Sequence, residues 1–201
     1  MNETAKQPPQ TLTEMLRLRF KGLLDSVGAF LNRLGIAPNT LTLTGLAGNL
    51  VGAIFLARGN FLIGGLILLF MGPLDALDGT MARLRGEPTA FGGFIDSVTD
   101  RYSELLIYGG MLLHYAMAAD ITMSMVTFAA ASGSVLVSYT RARAQGLGYE
   151  AKGGLLTRAE RFFVLIPSLI LGYARVGIWL VAVFSNITAI QRILQVRRQA
   201  R

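Results

Sequence analysis

DALDGTMARLRGEPTAFGGFIDSVTD, residues 75–100, carries four carboxylates: Asp75, Asp78, Asp96 and Asp100. LIGGLILLFMGPL precedes it and LLIYGGMLLHYAMAA follows. The first two acids are three residues apart and the last two are four apart, so on helices each pair shares one face. Acids flanked so closely by apolar runs lie in or at the edge of a membrane, where an ionisable residue is costly and marks a site. Four bare carboxylates on two facing helices would repel, and some would protonate. A divalent cation removes that problem. Oxygen-only ligands in a chain without Cys favour Mg²⁺, Mn²⁺ or Ca²⁺ over Zn²⁺. Gly79, Ala82 and Gly92 each stand four residues from an acid, so the acid faces are also bare faces that a backbone or ligand can approach. Arg83 adds a cation able to hold a phosphate or one of the acids. The plainer alternative, acids that only pair with Arg83, Arg85 and Arg101, does not call for the interleaved glycines.

Composition sets the fold class around this stretch. The 201 residues are 52% hydrophobic and 15% charged, with mean hydropathy +0.49 and net charge +7. An all-α integral membrane protein of six transmembrane helices follows, each span needing about 20 residues. No cleavable signal pattern opens the chain, whose first 19 residues are polar and mixed in charge. Residues 1–10 read as a disordered start. Over 11–34 the apolar spacing, interleaved with Arg17, Arg19, Lys21 and Arg33, predicts an interfacial amphipathic helix. Residues 1–34 thus form a juxtamembrane part and 35–201 the six-span domain. The spans run from Pro38 to about Ala57, Phe61 to Arg83, Phe91 to His114, Thr122 to Ala144, Leu155 to Leu171, and then to about Ile193 before a basic tail.

On that layout both acid pairs lie toward one membrane face. The opposite face holds only Arg58 and Arg175, while the other 17 of 19 basic residues lie on the acid side. The positive-inside rule makes the acid side cytoplasmic, with both termini there, in a multi-pass protein of the cytoplasmic membrane. Membrane topology and contact with anionic membrane lipids therefore explain the net charge, and nucleic acid is not expected as a partner. His114, the single histidine, falls at the far end of its span and reads as structural. Trp179, Tyr115 and Tyr173 read as interface anchors, and the methionines as packing.

The ungapped spacing D-x2-D-G-x2-A-R-x8-G-x3-D-x3-D resembles the signature of the CDP-alcohol phosphatidyltransferase family. That resemblance implies transfer of a phosphatidyl-type group from CDP-diacylglycerol, or an ether-lipid equivalent, to an alcohol, with release of CMP. It implies that Asp75, Asp78, Asp96 and Asp100 hold Mg²⁺ or Mn²⁺, as two ions, and that Asp100 is also the catalytic base. Arg83 would contact the diphosphate, and Gly79 and Ala82 would leave room for cytidine. The GIAPNTLT entry to the first span resembles the start of the first helix in that family, which places Asn39 and Thr42 with the nucleotide. It also implies a homodimer.

The acceptor is read from SYTRARA and GGLLTRAER, which resemble the corresponding stretch of phosphatidylinositol phosphate synthases. Ser138, Arg141, Arg143, Arg158 and Arg161 then become contacts for the phosphate of inositol phosphate, held by guanidinium groups. The related stretch has Lys where Arg141 stands, a cation of different geometry. Glycerol phosphate, as in phosphatidylglycerophosphate synthases, is the alternative acceptor. Membrane prenyltransferases also bind diphosphate through acids, but on two separated helix pairs in longer chains. A cation transporter would want its acids near the midplane rather than toward one end.

Overall fold

The computed structural model describes residues 19–86, 89–151 and 153–201, apart from the side chain of Asp75. The polar start and the first part of the helix expected over 11–34 lie outside the described residues. Among those described there are seven helices and no strand: α1 (Lys21–Arg33), α2 (Pro38–Ala57), α3 (Phe61–Leu84), α4 (Ala90–Met117), α5 (Ile121–Gly146), α6 (Arg158–Ile170) and α7 (Ala174–Gln199).

Local chemistry sets these boundaries. Pro38 opens α2 after extended Ala37, where its missing N–H costs nothing. The α2–α3 and α6–α7 turns use left-handed backbone at Gly59 (φ +79°) and Gly172 (φ +81°). Asp120 caps α5 by accepting from the Met123 N–H at 3.0 Å. Two expected boundaries move. The helix of the fifth span, α6, starts at Arg158 rather than near Leu155, because α7 side chains take the loop amides: Leu155 N–H donates to Gln191 Oε1 and Leu156 N–H to Thr188 Oγ1. The last helix continues past Ile193 to Gln199, whose amide group pairs both ways with the Glu150 backbone.

Four helices, α2, α3, α5 and α7, are long and apolar enough to cross a membrane. The six-span expectation is met to that extent. The helices of the other two expected spans, α4 and α6, depart from a simple span for different reasons. α4 has the length, at 28 residues, but carries Asp96, Asp100, Arg101 and Glu104 between its second turn and its middle. α6 has 13 residues, about 20 Å at 1.5 Å per residue, against about 30 Å of hydrocarbon.

The principal contacts order α2 to α7 as a ring, α2–α3–α6–α7–α5–α4 and back to α2, with α1 resting on α3. Leu56, Leu68, Ile107, Met111, Leu169 and Ile178 fill its interior. Phe70, Met117 and Ile121 stand exposed on the outside, as apolar solvent requires. The ring has two chemically different ends. At one, α1 lays Gly28 against Thr80, Met81 and Leu84, and Arg85 donates to Asn32 Oδ1 and the Ile36 carbonyl. At the other, Arg175 pairs with Asp120 at 2.7 Å, and His114 packs edge-on to Phe61 at 4.9 Å.

Small residues let the helices approach. A Cβ on Gly110 of α4 would stand 2.3 Å from the Ala53 carbonyl oxygen of α2, a backbone atom that cannot rotate away. Gly110→Val is expected to lower the melting temperature in detergent, at about 1–3 kcal/mol for overfilling a packed contact. Gly109→Ala, where a Cβ meets nothing within 4 Å, should leave it unchanged.

Candidate active site

The site is built where the C-terminal turns of α3 and the N-terminal turns of α4 meet. Asp75, Asp78, Gly79, Ala82 and Arg83 lie in the former, and Gly92, Asp96 and Asp100 in the latter. Thr89 caps α4, its Oγ1 accepting from Gly92 N–H at 2.9 Å, a contact of about 1 kcal/mol. A Cβ on Gly92 would come within 3.0 Å of that same oxygen. The motif glycine therefore keeps the helix start intact as well as leaving its face bare.

Asp78 is buried, with 5% exposure. Thr42 Oγ1 of α2 donates to its Oδ2 at 2.6 Å, and Gly79 N–H donates to its Oδ1. The structure thus joins a residue of the first span directly to the first acid pair. Asn39, three residues earlier, is exposed. Arg83 is exposed and folds back over the Gly79 face, donating to Thr80 Oγ1 at 2.8 Å. Ala82 and Asp96 are half-buried.

Asp100 faces α6. Its Oδ1 lies 2.6 Å from Arg158 Nη2 and its Oδ2 lies 3.6 Å from Arg101 Nη2. One turn further along α4, Glu104 is 3% exposed and pairs at 2.6 Å with Arg161, itself 2% exposed. Arg161 also donates to the Leu156 carbonyl. Removing one partner of such a buried pair costs about 3–5 kcal/mol, because the other charge is left uncompensated. Among the acceptor candidates, then, Arg158 meets an acid of the motif and Arg161 lies behind it in the core. Arg141 and Arg143 are exposed at the end of α5, and Ser138 Oγ donates to the Ser134 carbonyl of its own helix.

Two residues escaped the sequence reading. Glu104 continues the four-residue register of Asp96 and Asp100, a signal that was present. Arg192, 2% exposed in α7, donates to the carbonyls of Val137 and Gly153 and ties α5 to the α5–α6 loop. A lone arginine near the end of an apolar helix gave no such hint.

The acids supply only oxygen donors, Cys is absent and the single His lies at the other end, so the donor chemistry fits a hard divalent cation. Among the described residues no group of three His, Cys, Asp or Glu closes on one point; the Asp75 side chain lies outside them.

Comparison with known proteins bears on the family and the fold. The model of the CDP-alcohol phosphatidyltransferase family matches residues 35–190. The chain is 38% identical to the phosphatidylinositol phosphate synthase of Streptomyces avermitilis, over 94% of this chain and 84% of that protein. It is 36% identical to the archaetidylinositol phosphate synthase of Pyrococcus horikoshii, over 92% and 96%. The crystal structure of the Mycobacterium tuberculosis phosphatidylinositol phosphate synthase with manganese and citrate superimposes with a TM-score of 0.82 at 30% identity, covering 87% of this chain and 88% of that one. The same enzyme with CDP-DAG bound gives 0.81 at 30%, covering 86% and 92%. With the ungapped acid motif at the junction of α3 and α4, a match over residues 35–190 and relatives aligned along nearly the whole chain, this protein belongs to the CDP-alcohol phosphatidyltransferase family.

Proposed function

We propose that this enzyme transfers a phosphatidyl-type group from CDP-diacylglycerol, or its ether-lipid equivalent, to inositol phosphate, giving phosphatidylinositol phosphate and CMP. The observation that carries the acceptor assignment is the guanidinium of Arg158 at 2.6 Å from Asp100. A cation able to grip a phosphate stands beside the acid able to take a hydroxyl proton. The Streptomyces, Pyrococcus and Mycobacterium relatives, all inositol phosphate lipid synthases by name, support the same acceptor.

In the reaction the acceptor hydroxyl oxygen bonds to the lipid-bearing phosphorus of the donor. The bond from that phosphorus to the bridging oxygen breaks, CMP leaves with the bridging oxygen, and the hydroxyl proton passes to Asp100. Asp75, Asp78, Asp96 and Asp100 would hold the metal, two ions of Mg²⁺ or Mn²⁺, which supply charge neutralisation for the diphosphate. Thr42 fixes Asp78 and, with Asn39, borders the nucleotide. Gly79 and Ala82 leave room for cytidine, and Arg83 swings from Thr80 to the diphosphate. Arg141, Arg143 and Arg158 take the acceptor phosphate with Ser138, while Arg161 backs them from the core.

The same reading puts the enzyme in the cytoplasmic membrane as a homodimer, with α4 and α6 completing six spans. The domain of residues 35–201 follows an interfacial helix whose Phe20, Leu23, Val27, Phe30 and Leu34 face lipid. The Lys and Arg asymmetry between the two ends supports a cytoplasmic site and cytoplasmic termini.

Purified protein with CDP-diacylglycerol and Mg²⁺ should release CMP with inositol phosphate and not with inositol or serine, and Asp100→Asn should abolish the release. Release with glycerol phosphate in place of inositol phosphate would overturn the acceptor assignment. Thr42→Val, which removes the hydroxyl held against Asp78, should raise the Mg²⁺ concentration for half-maximal activity about 10-fold or more, as loss of an outer-shell partner does. An unchanged Mg²⁺ requirement would separate Thr42 from the metal site.

A further inference from the structure

We propose that Glu104 is a positioning residue for the metal site: it takes up arginines that would otherwise compete for Asp100, and so leaves Asp100 to the divalent cation. This rests on the reading of Asp100 as a metal ligand.

Two carboxylates and three guanidiniums share the space between α4 and α6. Glu104 is the common partner of all three, with Arg161 at 2.6 Å, Arg101 at 3.7 Å and Arg158 at 3.9 Å. Asp100 contacts Arg158 at 2.6 Å and Arg101 at 3.6 Å. The two acids form the rungs of a ladder between α4 and α6, with Asp100–Arg158 outside and Glu104–Arg161 inside. Burial decides which rung can exchange partners. Glu104 and Arg161 are 3% and 2% exposed, whereas Asp100 and Arg158 reach 14% and 29%.

Arg161 is always charged and only 2% exposed, so it requires a carboxylate. If Glu104 lost its charge, the next carboxylate on that face of α4 is Asp100, one turn back. Guanidinium and divalent cation would then compete for the same two oxygens. Glu104 does not itself meet substrate. The cavity beside it, lined with Tyr108, Arg161, Ile107, Phe162 and Leu165, is only about 10 Å³, room for one water at most. Its action therefore runs through the arginines.

The test is Mn²⁺ binding to the full-length protein, read from the electron paramagnetic resonance of free Mn²⁺, with no turnover required. Glu104→Gln keeps the shape and removes the charge. It should raise the Mn²⁺ Kd about 10- to 100-fold, the range for outer-shell partners of a metal ligand. Adding Arg161→Met, which removes the stranded cation, should bring the Kd back toward wild type. Arg158→Gln, which frees Asp100 of its nearest guanidinium, should tighten Mn²⁺ binding and serves if Glu104→Gln does not fold. A folded Glu104→Gln protein that melts earlier but binds Mn²⁺ as wild type does would overturn the proposal, as would an Arg158→Gln protein with unchanged affinity. If wild type binds no Mn²⁺, or Asp100→Asn binds it equally well, the metal-site reading itself falls. Weakened binding in Asp100→Asn with none in Glu104→Gln overturns the Glu104 role alone.

Discussion

A carboxylate within an apolar bundle must be given a positive partner or lose its charge, and this constraint organises the active end of the molecule. Asp78 is held by a hydroxyl and a backbone amide among its contacts. Asp100 and Glu104 are held by arginines. Arg101, Arg158 and Arg161 thus gather around these two acids of α4.

The bundle brings its helices together by close packing of small residues. Gly110 against the Ala53 carbonyl sets the distance between α2 and α4, and Gly52 against Leu68 sets that between α2 and α3. Because α2 touches both acid-bearing helices, Thr42 can reach Asp78 across the contact. On the opposite side α6 is short, and starting it at Arg158 puts its first turn level with Asp100. The amides of Leu155 and Leu156, spent on α7, delay that start.

Arginine serves three roles at this end. Arg161 is a buried counter-ion. Arg192 is a strut between carbonyls. Arg141, Arg143 and Arg158 remain exposed enough to meet a ligand. Composition and charge alone would rank all five alike, and burial separates them.

The acid register, the apolar runs and the turn residues were legible in the sequence because they are local: spacing of three and four along a helix, Pro38 at a start, Gly59 and Gly172 at reversals. They determined the helical class, the family motif and the end of the bundle that carries the chemistry. What only the tertiary structure decided was partnership. That Thr42 would bond Asp78, that Arg161 would be spent on Glu104 and that Arg158 would face Asp100 depends on α2 meeting α3 and on α4 meeting α6 across separations of 36 to 58 residues. The physical reason is that an ion pair is chosen by distance and burial in space. Neither is a property of residue type or of spacing along one helix.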